Sequence, residues 1–371
     1  MILSINNAVT ATYIFTILLA FVFLLSVRWR QGNGLDVSAS TELKGLAILA
    51  IVFSHVGYFL VSDTRFLFPL SSFAGVGVDI FLFLSGFGLA VSQIKKDNSV
   101  WQFYKQRLLK LMLPFWLILL TFFTLDIIFL QSGYSATYIL RSFLGFFPRA
   151  DLYKDINSPL WYFTFILGCY LVFPLFFSKK RPCLSALAIY VALYLFWQLS
   201  SNFFPEVAHL YRVHLVAFPL GVLIARVLQN EKLSAKIKSS ALFDKIYNAR
   251  SPWHYILLFL SFGIFCYSIY HSGVGHGPFW EQLVSLISVA AISIFFAVKK
   301  FSVKLLALVG VYSYEVYLLH WPIMYRYDFL FKYFPSWLAM ALYVAVFIAL
   351  GWVLQFVAKF IVNKLSPKKL S

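Results

Sequence analysis

The sequence contains few charged side chains, and acidic ones are the scarcest. Charged residues make up 12% of the 371 residues, with 14 Asp and Glu against 31 Lys and Arg. Apolar residues make up 61%, and the mean hydropathy is strongly positive. Both values lie outside the range of soluble globular domains. The composition therefore predicts an integral membrane protein.

Cysteines are also scarce, and so are linker sequences. The three cysteines lie in predicted helices, which argues against a disulfide framework and favours small packing residues. No long Pro-, Gly- or Ser-rich linker, fixed repeat or low-complexity tract interrupts the chain. We therefore expect one membrane domain over residues 1–371, without a soluble catalytic extension.

Long apolar runs are abundant, and they predict an all-α polytopic membrane protein with about 11 transmembrane helices. A lipid-spanning helix needs about 20 mainly apolar residues. Runs of that kind are found at 8–27, 45–62, 75–93, 108–131, 158–178, 183–200, 209–228, 254–271, 279–298, 304–324 and 336–361.

The net charge of +17 does not require nucleic acid, because the basic residues alternate between the predicted loops. If the N-terminus is outside, all but seven of the 31 Lys and Arg fall at cytoplasmic loops or helix ends. The exceptions are Arg65, Arg141, Arg149, Lys154, Arg212, Arg326 and Lys332. This asymmetry predicts a multi-pass protein of the plasma or inner membrane, with the C-terminus in the cytoplasm.

Three segments outside the central helices need separate interpretation. Segment 8–27 lacks a basic region before it and is followed by Arg28 and Arg30, so it is interpreted as a retained anchor. The outer loop 132–157 carries several charges. In the inner loop 229–253, near-helical spacing predicts either an interfacial helix or a solvated loop at Leu233, Ile237, Leu242 and Ile246.

His55 is the first candidate for chemistry, because it lies inside the apolar run 45–60, three helical turns beyond Lys44. Eleven residues place the two side chains on one face, about 16 Å apart. An ionisable group at that depth usually faces protein or water and often has a function. Imidazole suits a general base. A structural histidine beside a routine cytoplasmic lysine is the alternative.

Asp79 follows at the start of the third predicted helix, in Gly75-Val-Gly-Val-Asp79-Ile-Phe. At about 6 Å into that helix, its carboxylate could orient His55 as the acid of a catalytic triad does. A dipole-stabilised charge at a helix N-terminus is the alternative. Ser85-Gly86 could be only a close-packing site.

Arg107 and Lys110 share one helical face with Pro114, where the chain re-enters the membrane from the cytoplasm. Two cations on one face could hold the phosphates of an anionic donor. They could equally be anchors at the lipid headgroups.

Two motifs are predicted near the outer surface. Trp161 opens the fifth helix, and Ser313, Tyr317 and His320 form a polar stripe at i, i+4 and i+7 of the tenth. Trp161 also fits an interfacial aromatic belt. Three polar groups on one face need partners inside the membrane.

Together these motifs resemble acyltransferase family 3, the integral membrane acyltransferases of cell-envelope glycans. The resemblance covers about residues 40–325 and rests on Lys44 with His55, Val78-Asp79-Ile-Phe with Leu84-Ser85-Gly86-Phe87, Arg107 to Pro114, Leu160-Trp161, and Ser313-Tyr to His320-Trp-Pro. Thr41-Glu42-Leu43-Lys44 replaces the common Asp-Gly-Leu-Arg, and Ile166 and Leu167 stand where many members carry acids.

The resemblance implies a ten-helix core preceded here by one extra helix, and transfer of an acyl group from cytoplasmic acyl-CoA to an outer acceptor. It implies His55 as the catalytic histidine. Depth and motif add Asp79 as the residue that would orient or polarise His55. Lys44, Arg107 and Lys110 would bind the donor, and Trp161, Tyr317 and His320 would lie on the acceptor side. Acetyl-CoA is the expected co-substrate, and no metal is expected.

The resulting hypothesis is an O-acetyltransferase that acts on a hydroxyl of an envelope glycan. Direct attack by the hydroxyl and a covalent acyl-histidine intermediate both stay open. One alternative is a transporter or polysaccharide-export channel in which His55, Asp79 and His320 form a path without acyl chemistry. Another is a silent scaffold for a synthase. The expected partners are lipid and the glycan, with a homo-oligomer or a synthase complex left open.

Overall fold

A computed structural model describes residue 5 and residues 7–59, 65–96, 98–230, 235–236, 239–272 and 277–365. In this part of the chain, helices account for nearly all regular structure, and one two-stranded sheet accompanies them. The helices are α1 (Ala8–Leu25), α2 (Val37–Val56), α3 (Ala74–Lys96), α4 (Val100–Phe129), α5 (Ala136–Phe143), α6 (Trp161–Phe176), α7 (Pro182–Phe203), α8 (Pro205–Arg212), α9 (Ala217–Leu228), α10 (Ala241–Tyr247), α11 (Pro252–Tyr270), α12 (Pro278–Val298), α13 (Lys304–Val311), α14 (Ser313–Tyr325) and α15 (Ser336–Leu365).

Ten helical segments of the described residues are long and apolar enough to cross a membrane. They confirm the prediction of an all-α polytopic membrane protein.

Two predicted segments are not continuous helices. Segment 209–228 contains the turn 213–216 between α8 and α9. Segment 304–324 is divided at Tyr312 (φ −104°, ψ 14°), two residues after Gly310, whose helix propensity is low.

Helix α2 begins earlier and ends earlier than the apolar run predicts. Asp36 caps it, because the carboxylate accepts a hydrogen bond of 2.8 Å from the Ala39 N–H. The helix therefore starts at Val37 and ends at Val56, not at 45 and 62. Lys44 lies inside the helix, and His55 is its penultimate residue. The histidine stands near a helix end and not in the middle of a span.

Two pairs of glycines bring helix backbones into direct contact. A Cβ on Gly45 of α2 would meet the carbonyl group of Leu306 in α13, and one on Gly310 would meet the carbonyl of Thr41. Gly86 of α3 and Gly221 of α9 meet the backbone of the other helix in the same way. Small residues of this kind allow close helix packing in membranes. Helices α2 and α3 are each held against a second helix at such a crossing.

Replacement of Gly45 by alanine is expected to destabilise the protein by about 1–3 kcal/mol, the usual cost of overpacking a tight contact. The added methyl group would have to displace the backbone of α13. Thermal unfolding in detergent measures the effect. Gly88→Ala is the matched control, because a Cβ there meets no atom within 4 Å. Equal melting temperatures for the two variants would contradict the close crossing.

A buried ion pair joins α2 to the segment after α12. The Lys299 ammonium lies 2.7 Å from the Glu42 carboxylate, which also accepts a bond of 2.8 Å from the Val303 N–H. The two charged side chains are 1% and 0% exposed. Val303 belongs to strand β2 (Phe301–Val303), which pairs antiparallel with β1 (Val27–Trp29). The pair and the sheet fix the Lys44 end of α2.

The inner loop is only partly described. Leu233 and Ile237 lie outside the described residues, whereas Leu242 and Ile246 fall in the short helix α10. All three cysteines are free thiols, and Cys169 is the buried one.

Candidate functional site

A cavity of ≈ 1030 Å³ lies between the helices that carry the predicted site residues. Seven of the eight predicted residues line it: Lys44, His55, Asp79, Arg107, Lys110, Trp161 and Tyr317. They come from α2, α3, α4, α6 and α14, which are distant in sequence. The fold therefore brings the candidate donor-binding and catalytic side chains to one cavity.

His320, the eighth predicted residue, lies behind His55. Its Nε2 is 2.7 Å from His55 Nδ1, and the two ring planes differ by 8°. His320 is fully buried, and Trp321 packs edge-on against His55 with centroids 5.3 Å apart. His320 is not among the residues that line the cavity, and it contacts the candidate base from behind. Its role on the acceptor side stays a prediction.

The hydrogen bonds of His320 define which nitrogen of His55 carries the proton. His320 Nδ1 lies 2.8 Å from the Tyr317 carbonyl oxygen and 3.1 Å from that of Val316. A carbonyl oxygen only accepts, so this nitrogen donates and the neutral ring accepts at Nε2. His55 then donates from Nδ1. Its own Nε2 is left with a lone pair, as a general base requires.

Helix α14 is held in place by a proline and by the segment before α6. Pro322 has no N–H, so the Leu318 carbonyl lacks its usual helical donor. The Asn157 side-chain amide donates to that carbonyl at 3.0 Å. The Tyr317 hydroxyl donates to the Pro159 carbonyl at 2.8 Å. Because these bonds fix α14, they also fix the ring of His320.

One end of the cavity, defined here as the basic end, carries Lys44, Arg107 and Lys110. The charges of Lys44 and Arg107 are close enough to repel each other. Arg107 donates to the Ser92 hydroxyl at 2.8 Å, and the Tyr314 hydroxyl donates to the Leu111 carbonyl at 2.6 Å. Three cations around one cavity provide a site for a polyanion such as a phosphorylated nucleotide.

The sequence suggested that Asp79 orients His55, but in the structure Asp79 pairs with another histidine. Its carboxylate bonds to His214 Nδ1 at 2.8 Å and accepts a hydrogen bond from the Ser285 hydroxyl. Two residues before it, Gly77 packs against Ala47 and Ile51, one to two turns short of His55 along α2. Asp79 therefore lies too far from His55 along the axis of α2 to bond to it. His320 is the residue that bonds to His55.

Asp151, in the loop between α5 and α6, adds a carboxylate to the cavity lining. Hydrogen bonds from the backbone N–H groups of Lys154 and Tyr153 hold the pKa of Asp151 below its ordinary value. The carboxylate stays ionised at neutral pH. Among the described residues, no group of three or more His, Cys, Asp and Glu could hold a metal ion.

Two lining residues were missed by the sequence interpretation. His214 and Ser285 both line the cavity. His214 could have been noticed as a second histidine inside an apolar segment, but its partner Asp79 lies 135 positions away. The sequence does not indicate which helices meet.

Comparison with known proteins gives one match. A family model described as an acyltransferase domain matches residues 42–356, most of the chain. Searches of curated proteins and of solved structures return no significant match. The matched region contains all eight predicted site residues and the cavity that seven of them line.

Proposed function

We propose that this chain, which belongs to acyltransferase family 3, transfers an acetyl group from cytoplasmic acetyl-CoA to a hydroxyl of an extracytoplasmic envelope glycan. The observation that carries the proposal is the cavity that joins a basic end to a histidine whose Nε2 has no hydrogen-bond partner among the described residues. The basic end suits the phosphates of a nucleotide donor, and His55 Nε2 suits the activation of a hydroxyl.

The donor would bind with its phosphates at Lys44, Arg107 and Lys110. Lys44 and His55 are eleven residues apart on α2, about 16 Å along the helix axis. A pantetheine arm spans a separation of this order. The thioester would then lie beside His55, with the apolar walls of the cavity excluding water.

Acyl transfer in this geometry needs one base. His55 Nε2 takes the proton of the acceptor hydroxyl as the oxygen attacks the thioester carbonyl carbon. The C–S bond breaks when the tetrahedral intermediate collapses, and the imidazolium returns the proton to the thiolate sulfur. His320 accepts from His55 Nδ1 throughout, which stabilises the positive ring and keeps its orientation. The products are the ester and CoA thiol.

The orientation follows from the charge asymmetry of the loops. With the N-terminus outside, the basic end faces the cytoplasm, where acyl-CoA is found, and His55 lies toward the outer face. Trp161 and Tyr317 would then contact the acceptor. A synthase or export complex would supply that glycan.

Charge reversal at the basic end is expected to remove donor binding. In detergent, acetyl-CoA should raise the melting temperature of the wild type, because a ligand that binds only the folded state stabilises it. Arg107→Glu combined with Lys110→Glu should abolish the shift, since both side chains line the cavity. Thermal unfolding with and without acetyl-CoA provides the measurement.

Lys105→Glu is the matched control for this experiment. Lys105 is an exposed residue of the same helix, α4. This variant should retain the full shift, which shows that reversing an exposed charge on α4 does not by itself remove donor binding. A wild-type protein that acetyl-CoA does not stabilise at any concentration would overturn the proposed donor.

A further inference from the structure

A second histidine lines the same cavity, in the turn between α8 and α9. His214 Nδ1 is 2.8 Å from one oxygen of the Asp79 carboxylate, and the Ser285 hydroxyl donates to the other. The three residues are 7%, 1% and 7% exposed. They are named here the Asp79 cluster. The mechanism above does not use them.

The contacts of His214 fix both the plane and the direction of its ring. A carboxylate accepts the Nδ1–H, so Nε2, on the far side of the ring, is left for a molecule in the cavity. The Trp161 ring lies nearly parallel to the imidazole, with centroids 5.8 Å apart and 19° between planes. A directed polar group of this kind is suited to bind a ligand.

The Asp79 cluster lies between the basic end and His55. Ser92 of α3 is at the basic end, because Arg107 donates to its hydroxyl at 2.8 Å. Asp79 is thirteen residues from Ser92, about 20 Å along the helix. Gly77, still further along, packs against Ile51. Ile51 is in turn about 6 Å from His55 along α2.

We infer that the Asp79 cluster binds the pantetheine arm of the acyl-CoA donor. This inference rests on the proposed function. An arm that joins phosphates at the basic end to a thioester at His55 must pass the cluster. The arm carries two amides and a hydroxyl, which need hydrogen-bond partners when they leave water for an apolar interior. His214 Nε2 supplies one such partner.

The test compares two donors that differ only in the nucleotide. S-acetylpantetheine contains the arm and the thioester but lacks the phosphates that the basic end would hold. His214→Gln is expected to weaken the binding of acetyl-CoA and of S-acetylpantetheine by the same factor, about tenfold, as one lost hydrogen bond predicts. Arg107→Glu should weaken acetyl-CoA alone. Dissociation constants are measured on the detergent-purified full chain.

Two buried residues outside the cavity lining serve as matched controls. His254 bonds to the Ile246 carbonyl, and Ser288, one turn beyond Ser285, bonds to Ser268. His254→Gln and Ser288→Ala should bind both donors as the wild type does. Ser285→Ala is a milder change than His214→Gln and should weaken the binding of both donors a few-fold. It tests the same cluster if the histidine variant does not fold.

The outcomes separate this inference from the proposed function. A His214→Gln protein that melts like the wild type and binds both donors normally would overturn the inference and leave the proposed donor intact. Weakened binding of acetyl-CoA alone would also overturn the inference, because the cluster would then act on the nucleotide. A wild type that binds neither donor overturns the donor and the inference together.

Discussion

Replacement of His55 by alanine is expected to lower acyl transfer by about 10²- to 10⁴-fold, the usual contribution of a general base. The variant loses the only group that we assign to proton transfer, while its basic end remains. Acylation of envelope glycan in a deletion strain, complemented with wild type or His55→Ala, measures the effect. Full acylation by the folded variant would exclude His55 as the base.

Two further measurements show whether the loss is chemical. Acetyl-CoA should still raise the melting temperature of His55→Ala, because Lys44, Arg107 and Lys110 are unchanged. His254→Ala, which alters a buried histidine in α11, should acylate normally. His320→Leu should lie between the two, because His55 keeps its nitrogens but loses the acceptor that fixes its tautomer.

The largest loss of stability is expected from Glu42→Gln, about 3–5 kcal/mol. The change leaves the Lys299 ammonium buried without its counter-charge. A lowered melting temperature in detergent would show it. Replacement of both partners, by Glu42→Leu and Lys299→Met, should recover much of the loss, because an apolar pair needs no compensation. Asp244→Asn, at an exposed carboxylate in α10, is the control.

The stability loss of Glu42→Gln should also depend on pH. Burial lowers the pKa of Lys299, and the Glu42 carboxylate opposes that shift. Without Glu42 the folded-state pKa falls further below that of the unfolded chain. Between those two values the unfolded state binds more protons, so stability rises with pH. The loss should therefore shrink as the pH approaches the ordinary lysine value. If the stability loss of Glu42→Gln stayed the same as the pH is raised, the result would argue against a buried ammonium.

Hydropathy was sufficient to predict most of the fold, because membrane-spanning helices need long apolar runs whatever their partners. It could not predict where α2 starts, since the cap at Asp36 and the polar first turns lie outside the apolar run. The breaks at Tyr312 and at 213–216 were missed for a related reason. An apolar run has the same hydropathy whether or not the helix is continuous.

Seven of the eight residues proposed for the site share one cavity, but the sequence did not predict how they pair. Depth along a helix suggested that His55 and Asp79 are at one level, yet depth alone does not give the angle at which helices cross. The structure pairs His55 with His320 and Asp79 with His214. Glu42 was noted only as a departure from the motif that carries the resemblance. Its buried partner Lys299 lies 257 positions away.

The glycine crossings determine how this cavity can change during evolution. At Gly45 with Gly310, and at Gly86 with Gly221, backbone meets backbone, so no side chain there can be shortened to draw the helices nearer. A larger side chain in place of a crossing glycine pushes the two helices apart. The spacing of α2 and α3 from their neighbours is therefore fixed. A descendant with a wider cavity must gain room by shortening residues along the walls, such as Phe81 or Ile166.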